Sequence, residues 1–210
     1  MAKITGLKLQ KRNKERVNVY LDGEFAFGLS RIVAAWLRTG QELSDEKIAE
    51  LKAQDDVEVA LQRALNFLSY RPRSEKEVRQ NLKKHKYHEG VIDEIIDRLK
   101  RGGLVNDATF ADLWVENRSE FRPRGERMLR AELRLKGIPD EIISGVVEDL
   151  DETSLAAKAA KKKARRYRDL EWEEFRKKLY GFLARRGFHY GIISDVVTKV
   201  WEELAEERDE

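Results

Sequence analysis

The sequence contains no cysteine, and only three prolines and three histidines occur among its 210 residues. The absence of cysteine excludes disulfides, thiolate-bound zinc and a cysteine nucleophile. This composition suits the reducing cytosol. His85 and His88 could approach one another, but no third ligand follows at a fixed spacing. We therefore predict no metal site.

Long apolar runs are also missing. No segment approaches the roughly 20 apolar residues that a membrane-spanning helix needs, and Met1–Lys11 lacks the apolar core of a signal peptide. We expect a cytoplasmic protein that makes no membrane contact.

The sequence also lacks the motifs of common catalytic sites. There is no Walker-type loop, no GxGxxG fingerprint and no nucleophile elbow. Carboxylates are abundant, but pairs such as Asp93-Glu94 are adjacent in the chain, and adjacent side chains diverge on a helix. We predict that the protein is not an enzyme and needs no cofactor.

Charged residues make up 39% of the chain and hydrophobic residues 41%, a balance typical of folded helices with wide charged faces. The net charge is only +3, but residues 151–200 hold 13 Lys/Arg against 7 Asp/Glu. Residues 106–150 hold 7 against 10, and residues 201–210 hold 1 against 6. Such zones could bind an anionic polymer on one face and a protein on another, or could be solvated helix faces.

The first 29 residues have the alternation of β-strands, and Asp22-Gly23 is a strong signal for a two-residue hairpin turn. A helix is predicted over Ser30–Arg38, with Ile32, Val33, Trp36 and Leu37 facing the strands. A second short helix is predicted from the N-cap Ser44 to Leu51.

The rest of the chain is an internal repeat. Arg71–Leu99 recurs as Arg122–Leu150 and, more weakly, as Glu173–Val200, with apolar residues at matching positions. Each copy contains two helices and is preceded by a third, so each repeat is a three-helix unit that packs against its neighbours. The fold is therefore predicted to be mainly α: three tandem three-helix (helix-turn-helix-like) repeats form an elongated curved array after a small N-terminal β-hairpin plus helix. The predicted boundaries are 1–55, 56–105, 106–151 and 152–210, the last ending in a frayed acidic tail.

Arginines flank equivalent prolines at the first turn of two repeats: Arg71, Arg73, Arg122 and Arg124. Placed at a repeat interval, they could bind phosphates or acidic residues of a repeating partner. Alternatively, they could satisfy carbonyl groups at the ends of helices.

A basic helix is predicted over Ser154–Tyr167. The spacing puts four of its cations on one face: Lys158, Lys162, Arg165 and Arg166. Phosphate contact is one interpretation of this face, and a solvated helix is the other. Arg185 and Arg186 fall at a helix end that favours cations, while Phe188 is expected in the core. The full set of candidate binding residues is Arg71, Arg73, Lys83, Lys84, Arg122, Arg124, Lys158, Lys161, Lys162, Lys163, Arg165, Arg166, Arg185 and Arg186.

Several motifs in register with the repeats resemble those of the RecX family of RecA regulators. They include Arg71-Pro72-Arg73-Ser74-Glu75, Arg122-Pro123-Arg124-Gly125 and, most specifically, the segment Phe182–Phe188. Asn106 departs from the acid that is common at its position, but either residue can cap a helix. The resemblance covers roughly residues 57–204, and the first 55 residues look like the β-containing extension of longer members.

The resemblance implies a monomeric, non-catalytic modulator that binds in the groove of the RecA–DNA filament. It would inhibit the filament's ATPase, strand exchange and growth. Its partners would be the RecA filament and the single- or double-stranded DNA within it. The alternative is a direct DNA binder of the helix-turn-helix type, because three-helix units resemble such modules.

Overall fold

The N-terminal segment forms a small antiparallel sheet. The computed structural model describes residues 1–209, with side chains through 206. The strands are β1 (Ala2–Leu9), β2 (Arg16–Leu21), β3 (Glu24–Ser30) and β4 (Glu42–Leu43), in the order β3-β2-β1-β4. The predicted strands are confirmed, and the two-residue β4 was not foreseen. Asp22 and Gly23 have φ values of 49° and 96°, as the predicted two-residue turn requires.

The helix predicted over Ser30–Arg38 is much shorter. Helix α1 comprises only Arg31–Ala34, and the prediction that Ile32 and Trp36 face inward is wrong: they are 70% and 87% exposed. Val33 and Leu37 are buried as expected. The helix ends because the chain turns back toward β1, where the Gly40 amide donates to the Ile4 carbonyl at 2.7 Å. That return places β4 beside β1.

The short helix predicted to end at Leu51 and the helix that the apolar spacing predicts from Val57 onward form one continuous helix. Helix α2 runs without interruption over Asp45–Leu68, so the predicted boundary after residue 55 falls inside it. Its first half contributes Leu51 to the core beneath the sheet, and its second half contributes Ala60 and Ala64 to the core of the first repeat. The division of the chain into four segments stays a prediction.

Helix α2 is followed by α3 (Glu75–Lys84) and α4 (Glu89–Arg101), which complete the first repeat. The apolar spacing predicts one helix ending near Lys86 and a second over roughly Glu89–Arg101. The second matches α4, while α3 ends two residues earlier than predicted. Buried Val78, Leu82 and the isoleucines of α4 form the core of this repeat. The chain divides into two units, the first comprising Met1–Arg73 and Glu77–Val105.

The second unit comprises Ser74–Lys76 and the chain from Asn106 onward. Its helices are α5 (Asp107–Phe121), α6 (Glu126–Leu135), α7 (Asp140–Val147), α8 (Glu152–Ala164), α9 (Trp172–Arg185) and α10 (Tyr190–Asp209). Asn106 caps α5 by accepting from the amides of Ala108 and Thr109. The predicted frayed tail is wrong for the described residues, since α10 stays helical to Asp209; Glu210 lies outside them.

Within the second unit, the start of α6 fits closely against the turn after α9. The Gly125 amide donates to the Arg186 carbonyl at 2.9 Å, and the Glu126 amide donates to the Glu152 carboxylate at 2.7 Å. A Cβ on Gly125 would lie 2.5 Å from the carbonyl of Gly187. This joint fixes the turn containing Pro123 against the turn containing Arg186.

Candidate nucleic-acid interface

Three of the predicted arginines meet at the joint between α6 and the end of α9: Arg122, Arg124 and Arg186, here called the arginine cluster. Arg122 ends α5 as its C-cap, and Arg186 ends α9 in the same way. The Arg186 guanidinium donates to the Pro123 carbonyl at 2.9 Å, which holds it beside the other two. The proline turn and the helix end, separate features in the sequence, therefore supply one cationic site.

The charges of the cluster repel one another. Burial lowers the pKa of Arg186, and the positive charges of Arg124 and Arg122 lower it further. The Arg124 Nε lies 3.5 Å from Glu132, but its buried N–H makes no hydrogen bond with any described residue. Arg122 and Arg186 form no ion pair with the residues that the structure describes. An anion at this site would relieve repulsion that the chain itself leaves largely uncompensated.

An aromatic ring connects this cluster to the basic helix. The Arg186 guanidinium lies 4.4 Å from the centre of the Phe182 ring, and the Lys163 ammonium lies 5.6 Å from the same ring. Both are within the range of cation–π attraction. The Lys163 ammonium also lies 5.1 Å from the centre of the Tyr167 ring. Contacts with aromatic rings therefore bring a cation of α8 and the cation at the end of α9 into one surface patch.

The predicted basic face of α8 is only partly formed. The helix ends at Ala164, and Arg165 is its C-cap, so the expected continuation to Tyr167 is wrong. The Tyr167 amide donates to the Ala164 carbonyl in a tight turn, and Tyr167 and Leu170 pack against the core of the third repeat. That packing takes the chain off the helix axis.

Two of the lysines on α8 are paired with carboxylates. Lys158 bonds Glu120 at 2.7 Å, and Lys161 bonds Glu203 at 2.9 Å. Four other exposed cations form no ion pair with a described residue. They are Lys162, Arg165 and Arg166 at the end of α8 and Arg185 at the end of α9. These four are the cations most available to a partner.

The first unit has its own pair of turn arginines. Arg71 makes a bidentate ion pair with Glu77, at 2.9 and 3.1 Å, and donates to the Pro72 carbonyl. Arg73 stacks 4.0 Å from the centre of the Phe67 ring, and burial, followed by the charge of Arg71, lowers its pKa. Arg71 is thus largely compensated, unlike its repeat equivalent Arg122.

The remaining candidates lie at the end of α3. Lys83 bonds Glu89 at 3.1 Å across the turn to α4, which gives it a structural partner. Lys84 is exposed and pairs with none of the described carboxylates. Among the described residues there is no group of His, Cys, Asp or Glu that could hold a metal ion. In that same part of the chain, none of the helices has the length and apolar content needed to span a membrane.

Comparison with known families accounts for most of the chain. The family model described as "Regulatory protein RecX N-terminal domain" matches residues 2–44. The models of the first, second and third RecX three-helix domains match residues 60–99, 106–146 and 151–197. Regulatory protein RecX from Bacillus licheniformis is 37% identical over 199 residues, which cover 92% of this chain and 76% of that protein. The chain belongs to the RecX family.

Other RecX proteins match along nearly their whole length. Regulatory protein RecX of Clostridium beijerinckii is 33% identical over 95% of this chain and 96% of its own. A crystal structure of regulatory protein RecX superposes with a TM-score of 0.73 at 30% identity, covering 93% of this chain and 98% of the other. The crystal structure of RecX from Lactobacillus salivarius superposes with a TM-score of 0.61 at 30% identity, covering 70% of this chain and 97% of the other. These likenesses confirm the predicted RecX resemblance and the three three-helix units behind a small sheet.

Sequence reasoning missed one polar centre of the second three-helix domain. Glu132 accepts from the Trp114 indole at 2.9 Å and from the Arg118 guanidinium at 2.7 Å, and Arg118 stacks 4.1 Å from that indole. The Trp114 and Arg118 spacing of i and i+4 on one helix was the available signal. Because Glu132 is occupied by Arg118, it neutralises Arg124 only at the longer distance of 3.5 Å.

Proposed function

We propose that this chain binds the RecA filament formed on DNA and inhibits the filament's ATPase, strand exchange and growth. Membership of the RecX family supports RecA as the partner, because RecA regulation is what that resemblance implies. The observation that carries the proposal on this chain is the arginine cluster. It presents cations that the described residues leave largely unpaired, at a joint fixed by backbone hydrogen bonds.

The partner chemistry follows from this geometry. Guanidinium groups bind phosphate and carboxylate oxygens through paired hydrogen bonds, and a filament of RecA on DNA offers phosphates as well as acidic side chains. Lys162, Arg165, Arg166 and Arg185 would add charge on the same unit, and Lys84 would add it on the other. Many modest contacts of this kind sum when they are held on one chain.

The test is a titration of the purified chain into RecA assembled on circular single-stranded DNA, with ATP hydrolysis as the readout. Substoichiometric protein is expected to lower the rate. Arg122→Glu is expected to raise the concentration for half-inhibition by about tenfold, since one charge-assisted hydrogen bond contributes about 1.5–3 kcal/mol.

Arg176→Glu is the matched control, because Arg176 is an exposed arginine of α9 already paired with Glu173 at 3.1 Å. It should inhibit like the parent. An ATPase rate that stays unchanged over the full titration would contradict the proposal. Equal affinity for naked duplex and for the filament would favour the direct DNA-binding alternative instead.

A further inference from the structure

The N-terminal sheet has an outer face that its core does not explain. Val17 and Val19 of β2 are buried beneath the sheet, so Asn18 and Tyr20 point to the opposite face. The pairing of Lys8 with Asn18 in β1 and β2 adds Lys8 to that face. The Tyr20 ring lies over Gly6, where a Cβ would be 3.6 Å from the ring, so a glycine leaves room for the aromatic side chain.

This face carries two aromatic rings, an exposed Phe25 and a half-buried Tyr20. Tyr20 and Phe25 pair across β2 and β3, with ring centres 6.0 Å apart in an edge-to-face arrangement. Phe25 is 58% exposed. The Lys8 ammonium lies 5.0 Å from the centre of the Tyr20 ring. Contiguous apolar surface rimmed by polar residues is one mark of a binding face.

Positive charge surrounds the rings. The first 20 residues carry six Lys/Arg and one Glu. A groove of about 660 Å³ on this face is lined by Lys8, Lys11 and Arg12 together with Tyr20 and Phe25. Lys11 and Arg12 are exposed and form no ion pair with the described residues, whereas the nearby Arg16 is held by Asp55 at 3.0 Å. Three cations of the groove are therefore not neutralised by carboxylates of the described chain.

The groove combines cations with flat apolar rings, and single-stranded nucleic acid presents the complementary features. Its phosphates match the cations, and its unpaired bases stack on aromatic side chains, whereas the bases of a duplex are occupied by their own stacking. We infer that the outer face of the N-terminal sheet binds single-stranded nucleic acid. Lys8, Lys11 and Arg12 contact the phosphates, and Phe25 and Tyr20 stack on the bases.

This surface shares no residue with the arginine cluster. Its role in RecA regulation rests on the proposed function, but the binding itself is measurable without RecA. The probe is a short fluorescein-labelled oligothymidylate, followed by anisotropy with the full chain. Phe25→Ala is expected to weaken binding about tenfold, within the range measured for losing one base–aromatic stack. Phe25→Trp should restore it, because any large flat ring serves.

The charges give a second readout. Each phosphate contact removed flattens the slope of log affinity against log salt by about 0.7 for a single strand, so the double variant Lys11→Gln/Arg12→Gln should lower it by about 1.4. Lys14→Gln removes an exposed cation of the same segment that does not line the groove, and it should leave the slope nearly unchanged.

Thermal melting of each variant checks that the sheet is intact. Parent-like affinity of Phe25→Ala and of the double variant, with unchanged melting, would overturn the inference. A hairpin duplex of the same length bound as tightly, with the same dependence on Phe25, would overturn the assignment to single strands. Failure of RecA inhibition alone would count against the proposed function and leave this site standing.

Discussion

At the scale of single residues, one lysine occupies a position that glycine holds in the other repeats. Lys86 has a φ of 63°, while the equivalent Gly137 and Gly187 have φ values of 82° and 89°. In each repeat the next amide donates to a carbonyl five residues earlier, as from Tyr87 to Leu82 at 3.4 Å. This helix-ending motif needs a left-handed residue, which is strained for any side chain with a Cβ.

Lys86→Gly is therefore expected to stabilise the chain. The strain relieved is about 1–2 kcal/mol, partly offset by the greater freedom of glycine in the unfolded state, for a net gain of about 1 kcal/mol. The midpoint of urea denaturation, followed by circular dichroism, measures it. Lys86→Ala removes the same charge but keeps the strain, so it should show no gain. If the two variants behave alike, the backbone is not the cause.

A second residue-level prediction concerns the joint that supports the arginine cluster. Gly125→Ala would place a Cβ 2.5 Å from the carbonyl of Gly187, against backbone that cannot rotate away. We expect a loss of about 1–3 kcal/mol in the free energy of unfolding, the range for overpacking a tight contact. Weaker RecA inhibition should accompany it, because Arg186 would shift with its turn.

Gly145→Ala is the control for that change. Gly145 lies within α7, and a Cβ there would meet nothing within 4 Å. The substitution should stabilise the chain by up to about 1 kcal/mol, the difference in helix propensity. A loss of stability at Gly145 equal to that at Gly125 would mean that neither effect comes from the joint.

At the scale of elements, the repeat units were predictable because apolar spacing governs them. The isoleucine pattern predicts the extent of α4, and the Gly102-Gly103 pair predicts where it ends. The continuity of α2 was not predictable from the same rules. Its polar stretch around Asp55 has the composition of a linker, yet Asp55 is buried at 7% exposure. A tertiary contact with the sheet keeps that stretch helical, and local periodicity carries no sign of such a contact.

Asp55 is the residue through which α2 holds the sheet. Its carboxylate accepts from the Ser30 amide and pairs with Arg16 at 3.0 Å. Asp55→Ala would leave the partly buried Ser30 amide without its acceptor and the Arg16 guanidinium with only the Gly28 carbonyl at 2.9 Å, at a cost of about 1–3 kcal/mol. Urea denaturation followed by circular dichroism would measure the loss.

Asp56→Ala serves as the comparison, since Asp56 is the exposed neighbour on the same helix. Its effect should stay within about 0.5 kcal/mol, as is usual for surface changes. If Asp55→Ala proves equally mild, α2 is held to the sheet by apolar packing alone.

At the scale of the whole molecule, the charge zones were visible in the sequence, but their pairing was not. The excess of cations in residues 151–200 was correctly located. Which of them remain available depends on carboxylates far away in the chain, such as Glu120 beside Lys158 and Glu203 beside Lys161. Sequence spacing placed Lys158 on one basic face with Lys162, Arg165 and Arg166. Of these four cations, the described chain pairs only Lys158 with a carboxylate.

That division leads to a prediction in which net charge is held constant. Lys162→Gln/Arg166→Gln and Lys158→Gln/Lys161→Gln each remove two positive charges from the same segment. The first pair has no ion-pair partner among the described residues, while the second must give up carboxylates at 2.7 and 2.9 Å before it can bind anything else.

The first double variant should therefore need about tenfold more protein for half-inhibition of the RecA ATPase, the effect of losing a charge-assisted contact. The second should stay within about threefold of the parent, because a compensated cation contributes little to a new partner. Equal losses in the two variants would show that the filament responds to the summed charge of this region, and that the individual contacts of Lys162 and Arg166 do not determine binding.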